Sequence, residues 1–260
     1  MTLENALNAF PYFLLVLVRM SAFFIVAPIF SQRTIPSQFK IGLAGALSLI
    51  ATSVVPFENE IVLDGYYTVL IFKEILIGLS FGFLTALILF MVQVAGAFID
   101  FQMGFALANV IDPQTGTQVP IIGQFKYILA ILFLLAINGH HFMINGMLHS
   151  VRLVPVGVPE WGFAAGELSQ FMVTVFAAMF AVAFQLALPI VGSLFLVDAA
   201  LGLLAKTVPQ MNIFAVGFPL KIGIGFILLL LLMPSFFFML QVIVERMVKL
   251  MNELMGILGG

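Results

Sequence analysis

Long apolar runs separated by short polar or proline-marked stretches dominate the chain, and six of them are long enough to predict helices. The first spans about Asn8 to Phe30 and holds Arg19; the second runs from Phe39 to Val55 and stops at Pro56. The third is uncharged from Ile75 to Ile99, and the fourth runs from Tyr127 to Val151. The fifth is uncharged from Leu168 to Val197 around Pro189, and the sixth covers Ile222 to Val244 around Pro234. About 20 apolar residues of helix cross a hydrocarbon layer of roughly 30 Å. Barrel strands would instead alternate apolar with polar over about 10 residues, so the pattern predicts an all-α integral membrane-type protein with six crossings.

The connections carry the charge. Residues 31–40, SQRTIPSQFK, hold two bases and no acid, whereas residues 56–64 hold Glu58, Glu60 and Asp64 and no base. That asymmetry predicts that residues 31–40, 100–126 and 206–221 face the cytoplasm and that both termini face outward. Two connections differ from simple turns. Residues 101–120 combine Asp112-Pro113 and Thr115-Gly116-Thr117 turn residues with an apolar stretch from Phe105 to Ile111, so they are expected to bury themselves in protein or in a lined cavity. Residues 207–220 mix Pro209 and Pro219 with Gln210 and Asn212, which predicts a break in helical structure. The tail from Glu245 onward is expected to fray or to lie along a surface.

Composition sharpens the membrane reading. Of 260 residues, 63% are hydrophobic and 8% charged, against about 45–50% and roughly 25% in soluble domains. Ten Lys and Arg with twelve Asp and Glu cannot coat a globule of this size. A net charge of −2 supplies no basic face for nucleic acid, and the lack of Cys excludes disulfides, thiol catalysis and iron–sulfur clusters. MTLENALNAF has no basic residue, so it does not resemble a cleaved leader and the first apolar run is expected to stay in the mature protein.

No HExxH, GxSxG or GxGxxG occurs, and GLLAKT at Gly202–Thr207 lacks the spaced glycines of a phosphate loop. His140 and His141 point about 100° apart on a helix and are read as packed polar residues, not metal ligands. The chain is therefore expected to be no enzyme and to hold no cofactor or metal. The informative charges are Arg19, Glu74, Asp198 and Lys206, expected to be buried. An ionised side chain inside a membrane segment costs about 2.5–3.5 kcal/mol on insertion scales and faces protein or water. Arg19 is expected to pair with Glu74 or Asp198 or to line an aqueous path, structural pairing being preferred. Lys73 and Glu74 are expected as a solvated pair at an interface. Asp198 lies two turns before Lys206, too far for direct pairing, so an intersubunit or intrahelical polar contact is preferred over a proton relay. Gly78 and Gly82 form a GxxxG that lets helix backbones approach, within the chain or with a partner.

The stretch PQMNIFAVGFPLK, Pro209 to Lys221, preceded by LGLLAKT, resembles the FliR family of export-gate proteins, called SctT in virulence-type secretion systems. The run from Ala27 to Pro36, AGAFIDFQMG leading to Ile111-Asp112-Pro113, and Asn138 to His140 agree with it over essentially the whole chain. The resemblance implies long bent helices and helical hairpins packed into a multi-subunit helical assembly. FliP-like and FliQ-like subunits would enclose a narrow channel with this chain, and a FlhB-like protein would dock at its entrance. The cargo would be unfolded flagellar subunits, and the location the bacterial inner membrane at the flagellar basal body. It also implies a FliP-like portion at about 1–166 and a FliQ-like portion at about 167–260.

By the same resemblance, residues 104–120 plug the channel, through Gly104, Phe105, Leu107, Val110, Ile111, Asp112, Pro113 and Gly116. Pro209, Gln210, Met211, Asn212, Pro219 and Lys221 mark a helix break or subunit contact, with Gln210 and Asn212 capping freed backbone groups. The competing reading is a small-solute secondary transporter with broken helices. Its usual inverted repeats are missing, since the breaks after 101 and 207 share no pattern.

Overall fold

The computed structural model describes residues 3–55, 61, 64–105, 120–158, 166–210 and 212–259, with side chains from residue 9 onward. The described residues form eight α-helices and no strand. They are α1 (Leu3–Val26), α2 (Ser37–Val54), α3 (Gly65–Met103), α4 (Ile121–Ala136), α5 (Gly139–Leu153), α6 (Glu167–Thr207), α7 (Ile213–Leu231) and α8 (Met233–Gly259). Four of them, α1, α3, α6 and α7, are long and apolar enough to cross a membrane, and α4 with α5 makes a fifth if that bent pair is one span.

This differs from six simple crossings for local reasons. Asn138 adopts φ 58° and ψ 28° between α4 and α5, a left-handed conformation that asparagine tolerates better than most residues. The run Tyr127–Val151 is thus two helices bent by 70°. The run Ile222–Val244 straddles another boundary, where α7 ends before Leu232 and Pro234 occupies the second position of α8. A proline lacks an N–H and is tolerated in the first turn, where amides have no intrahelical partner. Val55 is extended at φ −93° and ψ 119° because Pro56 follows it, and α2 stops there.

Length sets the second constraint. At about 1.5 Å per residue, α3 with 39 residues and α6 with 41 reach roughly 60 Å. That is twice a hydrocarbon thickness of about 30 Å, and helix tilts of up to about 40° cannot absorb the excess. Each helix either bends or continues beyond the lipid tails, and α6 carries Pro189 near its middle.

The chain divides into two compact units. Unit 1 comprises Met1–Leu87, Leu135–Phe176 and Val244–Gly260. Its core includes Leu15, Phe23, Phe24, Leu70, Ile77 and Phe81. Here α1 and α3 touch at the GxxxG: a Cβ on Gly78 would meet the Arg19 carbonyl and Ala22, and one on Gly82 would lie 2.9 Å from Val26 Cβ. The expected fraying of the tail is overturned, because Met247, Met251, Leu254, Met255 and Leu258 recur at helical spacing and are buried. Met251 packs on Gly146, and Gly259 lies against the Leu153 carbonyl.

Unit 2 comprises Ile88–Leu134 and Ala177–Ile243. Gly96 of α3 and Gly123 of α4 bring their backbones into contact, and Met103 packs on Gly225 of α7. Among the described residues, much of this apolar surface is uncovered. In their most apolar stretches α6 is 22% and α7 17% buried, against 67% for α3.

Candidate functional site

In unit 1, Arg19 is fully buried and spends all five guanidinium donors inside the chain. Nε and Nη2 form a forked pair with Glu74, itself fully buried, with Nη2 at 3.0 Å from Oε1. Nη1 donates to the Ser150 carbonyl at 2.8 Å and hydroxyl at 3.3 Å, and Nη2 also donates to the Val154 carbonyl at 3.1 Å. Of the two sequence candidates, Glu74 is therefore the partner, because the close approach at Gly78 places α3 beside Arg19. Lys73 is not solvated as expected. It is buried and donates to the Pro155 and Val158 carbonyls, which the chain exposes after α5 ends. Two cations thus hold the segment 150–158, whose carbonyls lack helical partners.

In unit 2, Asp198 of α6 takes a different partner. Lys221 of α7 reaches both its carboxylate oxygens at 2.9 Å, and Gln102 Nε2 of α3 donates to Oδ2 at 2.8 Å. The pair is only part-buried, with Asp198 40% and Lys221 15% exposed at the side chain. Lys206 is not buried as expected: it stands exposed in the last turn of α6, where terminal carbonyls favour a cation.

The helix break is confined to residues 208–212. Pro209 and Gln210 form an exposed turn, and Asn212 Oδ1 accepts from the Ala215 amide at 3.3 Å, capping α7. Pro219 lies exposed inside α7. Met211 lies outside the described residues.

The segment 104–120 is described at its two ends. Gly104 terminates α3 at φ 92°, a region glycine adopts freely, and a Cβ there would lie 2.6 Å from the Phe218 ring. Phe105 makes an edge contact with Phe226, ring centres 6.5 Å apart. Leu107, Val110, Ile111, Asp112, Pro113 and Gly116 lie outside the described residues. At the base, the buried Asp100 carboxylate accepts from the Ile122 amide at 3.0 and 3.1 Å and from the Gly123 amide at 3.1 Å. It serves there as a cap for the first turn of α4. Asp100 escaped sequence reasoning because it falls just past the uncharged run; an acid 21 residues before a proline-led helix start was the available signal.

The His140 and His141 rings are tilted by 36° with centres 4.3 Å apart. Among the described residues no three His, Asp or Glu side chains group as metal ligands.

The family model for bacterial export proteins, family 1, matches residues 10–247. The chain is 43% identical over 257 residues to the flagellar biosynthetic protein FliR of Bacillus subtilis, covering 99% of each. It is 32% identical over 219 residues to the same-named protein of Escherichia coli, covering 84% of this chain and 82% of that one. It is also 25% identical over 219 residues to the Yop proteins translocation protein T of Yersinia pestis, covering 84% of each. With all but the ends of its apolar helices inside the matched region, the chain belongs to the FliR family of bacterial export proteins.

Proposed function

We propose that this chain is a non-enzymatic subunit of the flagellar type III export gate in the bacterial inner membrane. It joins FliP-like and FliQ-like subunits around a narrow channel for unfolded flagellar proteins, and a FlhB-like protein docks at the entrance. The observation that carries this reading is the contrast within the chain. In unit 1 the buried charges Arg19, Glu74 and Lys73 are satisfied internally, while among the described residues α6 and α7 leave most of their apolar surface uncovered. A solute transporter needs polar groups free to bind cargo, whereas a subunit of a helical assembly needs faces for its neighbours.

The segment 104–120 is the proposed plug. A nonpolar stopper leaves no wetted path for ions, and the hydrogen bonds from the Ile122 and Gly123 amides to Asp100 tie together the helix ends that flank it. The start of α6 at Glu167, after Gly166 at φ 75°, supports a division into a FliP-like portion at 1–166 and a FliQ-like portion at 167–260. The test is co-expression with FliP-like and FliQ-like proteins and mass measurement of the purified particle. A particle containing all three supports the reading; recovery of this chain as a stable monomer that binds a small solute overturns it.

A further inference from the structure

Lys126 of α4 is 5% exposed, and among the described residues it has neither an ion pair nor a hydrogen bond. Its ammonium sits 4.9 Å from the centre of the Phe236 ring of α8. It opens into a cavity of about 210 Å³ whose polar lining is Gln185 of α6 and Ser235 of α8, beside Pro189. Gln185 and Ser235 are both exposed in the chain. An ammonium largely withdrawn from water without a counter-ion is costly in a fold, and an aromatic face offsets only part of that cost. An amide and a hydroxyl on an otherwise apolar membrane surface belong where another helix covers them.

The size of the cavity narrows the ligand. Sites for small metabolites begin at about 300 Å³, so this one accepts a single acidic group and little more. Its position disfavours a lipid phosphate: Gln185 and Pro189 lie near the middle of α6, on the order of 30 Å from either end of the helix. Beside them Phe180, Phe184 and Leu188 are exposed at four-residue spacing, an apolar ridge of the kind helices interlock.

We propose that Lys126, Gln185 and Ser235 form a socket for a carboxylate carried by a neighbouring subunit's helix. The Lys126 ammonium supplies the counter-charge, and the side chains of Gln185 and Ser235 donate to the carboxylate oxygens. This rests on the reading of the chain as one subunit of a multi-subunit export gate.

The experiment compares wild type, Lys126→Met and Lys126→Arg, each expressed alone and with FliP-like and FliQ-like partners. Alone in detergent, Lys126→Met should unfold at the same temperature as wild type or higher, because an unpaired buried charge is gone. With partners, it should recover at least about tenfold less of one of them, the scale for removing one member of a buried charged pair. Lys126→Arg should retain most of the assembly. A photo-crosslinking residue at position 185 should capture an acidic helix of that partner. The socket is overturned if Lys126→Met assembles like wild type, or if partner loss only follows a loss of stability in the lone chain. It is also overturned if native mass spectrometry shows a phospholipid lost from Lys126→Met with assembly intact. Failure of wild type itself to recover any partner defeats the export-gate reading, which the variants do not test.

Discussion

Asp100, three residues before the end of α3, accepts the backbone N–H of Ile122 at the start of α4, so the two ends of segment 104–120 share one anchor. The carboxylate also accepts from Gly123, and the contact of Gly96 with Gly123 leaves no room between the helices. Replacing Asp100 with Ala removes a charged cap and leaves two amides unpaired, a cost of about 1–3 kcal/mol. Limited proteolysis of the assembled protein should cut within 104–120 faster in Asp100→Ala than in wild type, with Asp100→Asn intermediate.

The forked pair of Arg19 and Glu74 predicts a particular non-additivity. Arg19→Met leaves Glu74 as an uncompensated buried charge and should cost about 3–5 kcal/mol. Adding Glu74→Met should recover part of that loss, not all of it, because the Ser150 and Val154 carbonyls still lack their donor. Thermal unfolding in detergent of both single variants and the double variant measures the coupling.

Alanine substitutions of two glycines should have opposite signs. At Gly78 the added Cβ meets the Arg19 carbonyl and Ala22, so Gly78→Ala should destabilise. At Gly42 in α2 nothing lies within 4 Å, and Gly42→Ala should stabilise by up to about 1 kcal/mol through helix propensity. Unfolding temperatures in detergent decide this.

The proposed plug makes an electrical prediction. Replacing both Leu107 and Val110 with Gly in the reconstituted gate should raise small-ion conductance above wild type. Identical conductance would remove these residues from the seal.

Loss of the cap at Asn212 should be felt at assembly. Asn212→Ala forfeits one hydrogen bond to the Ala215 amide, about 0.5–2 kcal/mol. If the break at 208–212 is a subunit contact, affinity purification of the variant should return less of its partners.

Much of this architecture was legible from the apolar runs, and the exceptions share a cause. Hydropathy located α1, α3 and α6, but it does not sense φ, so the turn at Asn138 and the stop at Leu232 disappeared into continuous runs. The sequence offered Glu74 and Asp198 equally to Arg19. Only the close approach at Gly78 selects Glu74, while Lys221 on α7 takes Asp198. Lys73 was read as solvated because the carbonyls that bind it, from Pro155 and Val158, are more than 80 residues away. Asp100 and Lys126 both sit beside uncharged runs, where flanking charge is ordinarily a boundary mark. Their partners are backbone amides in one case and an aromatic ring in the other, which no charge pattern reveals.

The buried face of α8 has a bearing on biosynthesis. Met251, Leu254 and Leu258 complete the core of a unit whose earliest residues belong to α1, and Gly259 closes on Leu153. That core cannot finish forming until the ribosome has translated past residue 259. Nascent chains stalled short of α8 would therefore carry an unfinished interior into the bilayer and present a ready substrate for membrane quality control.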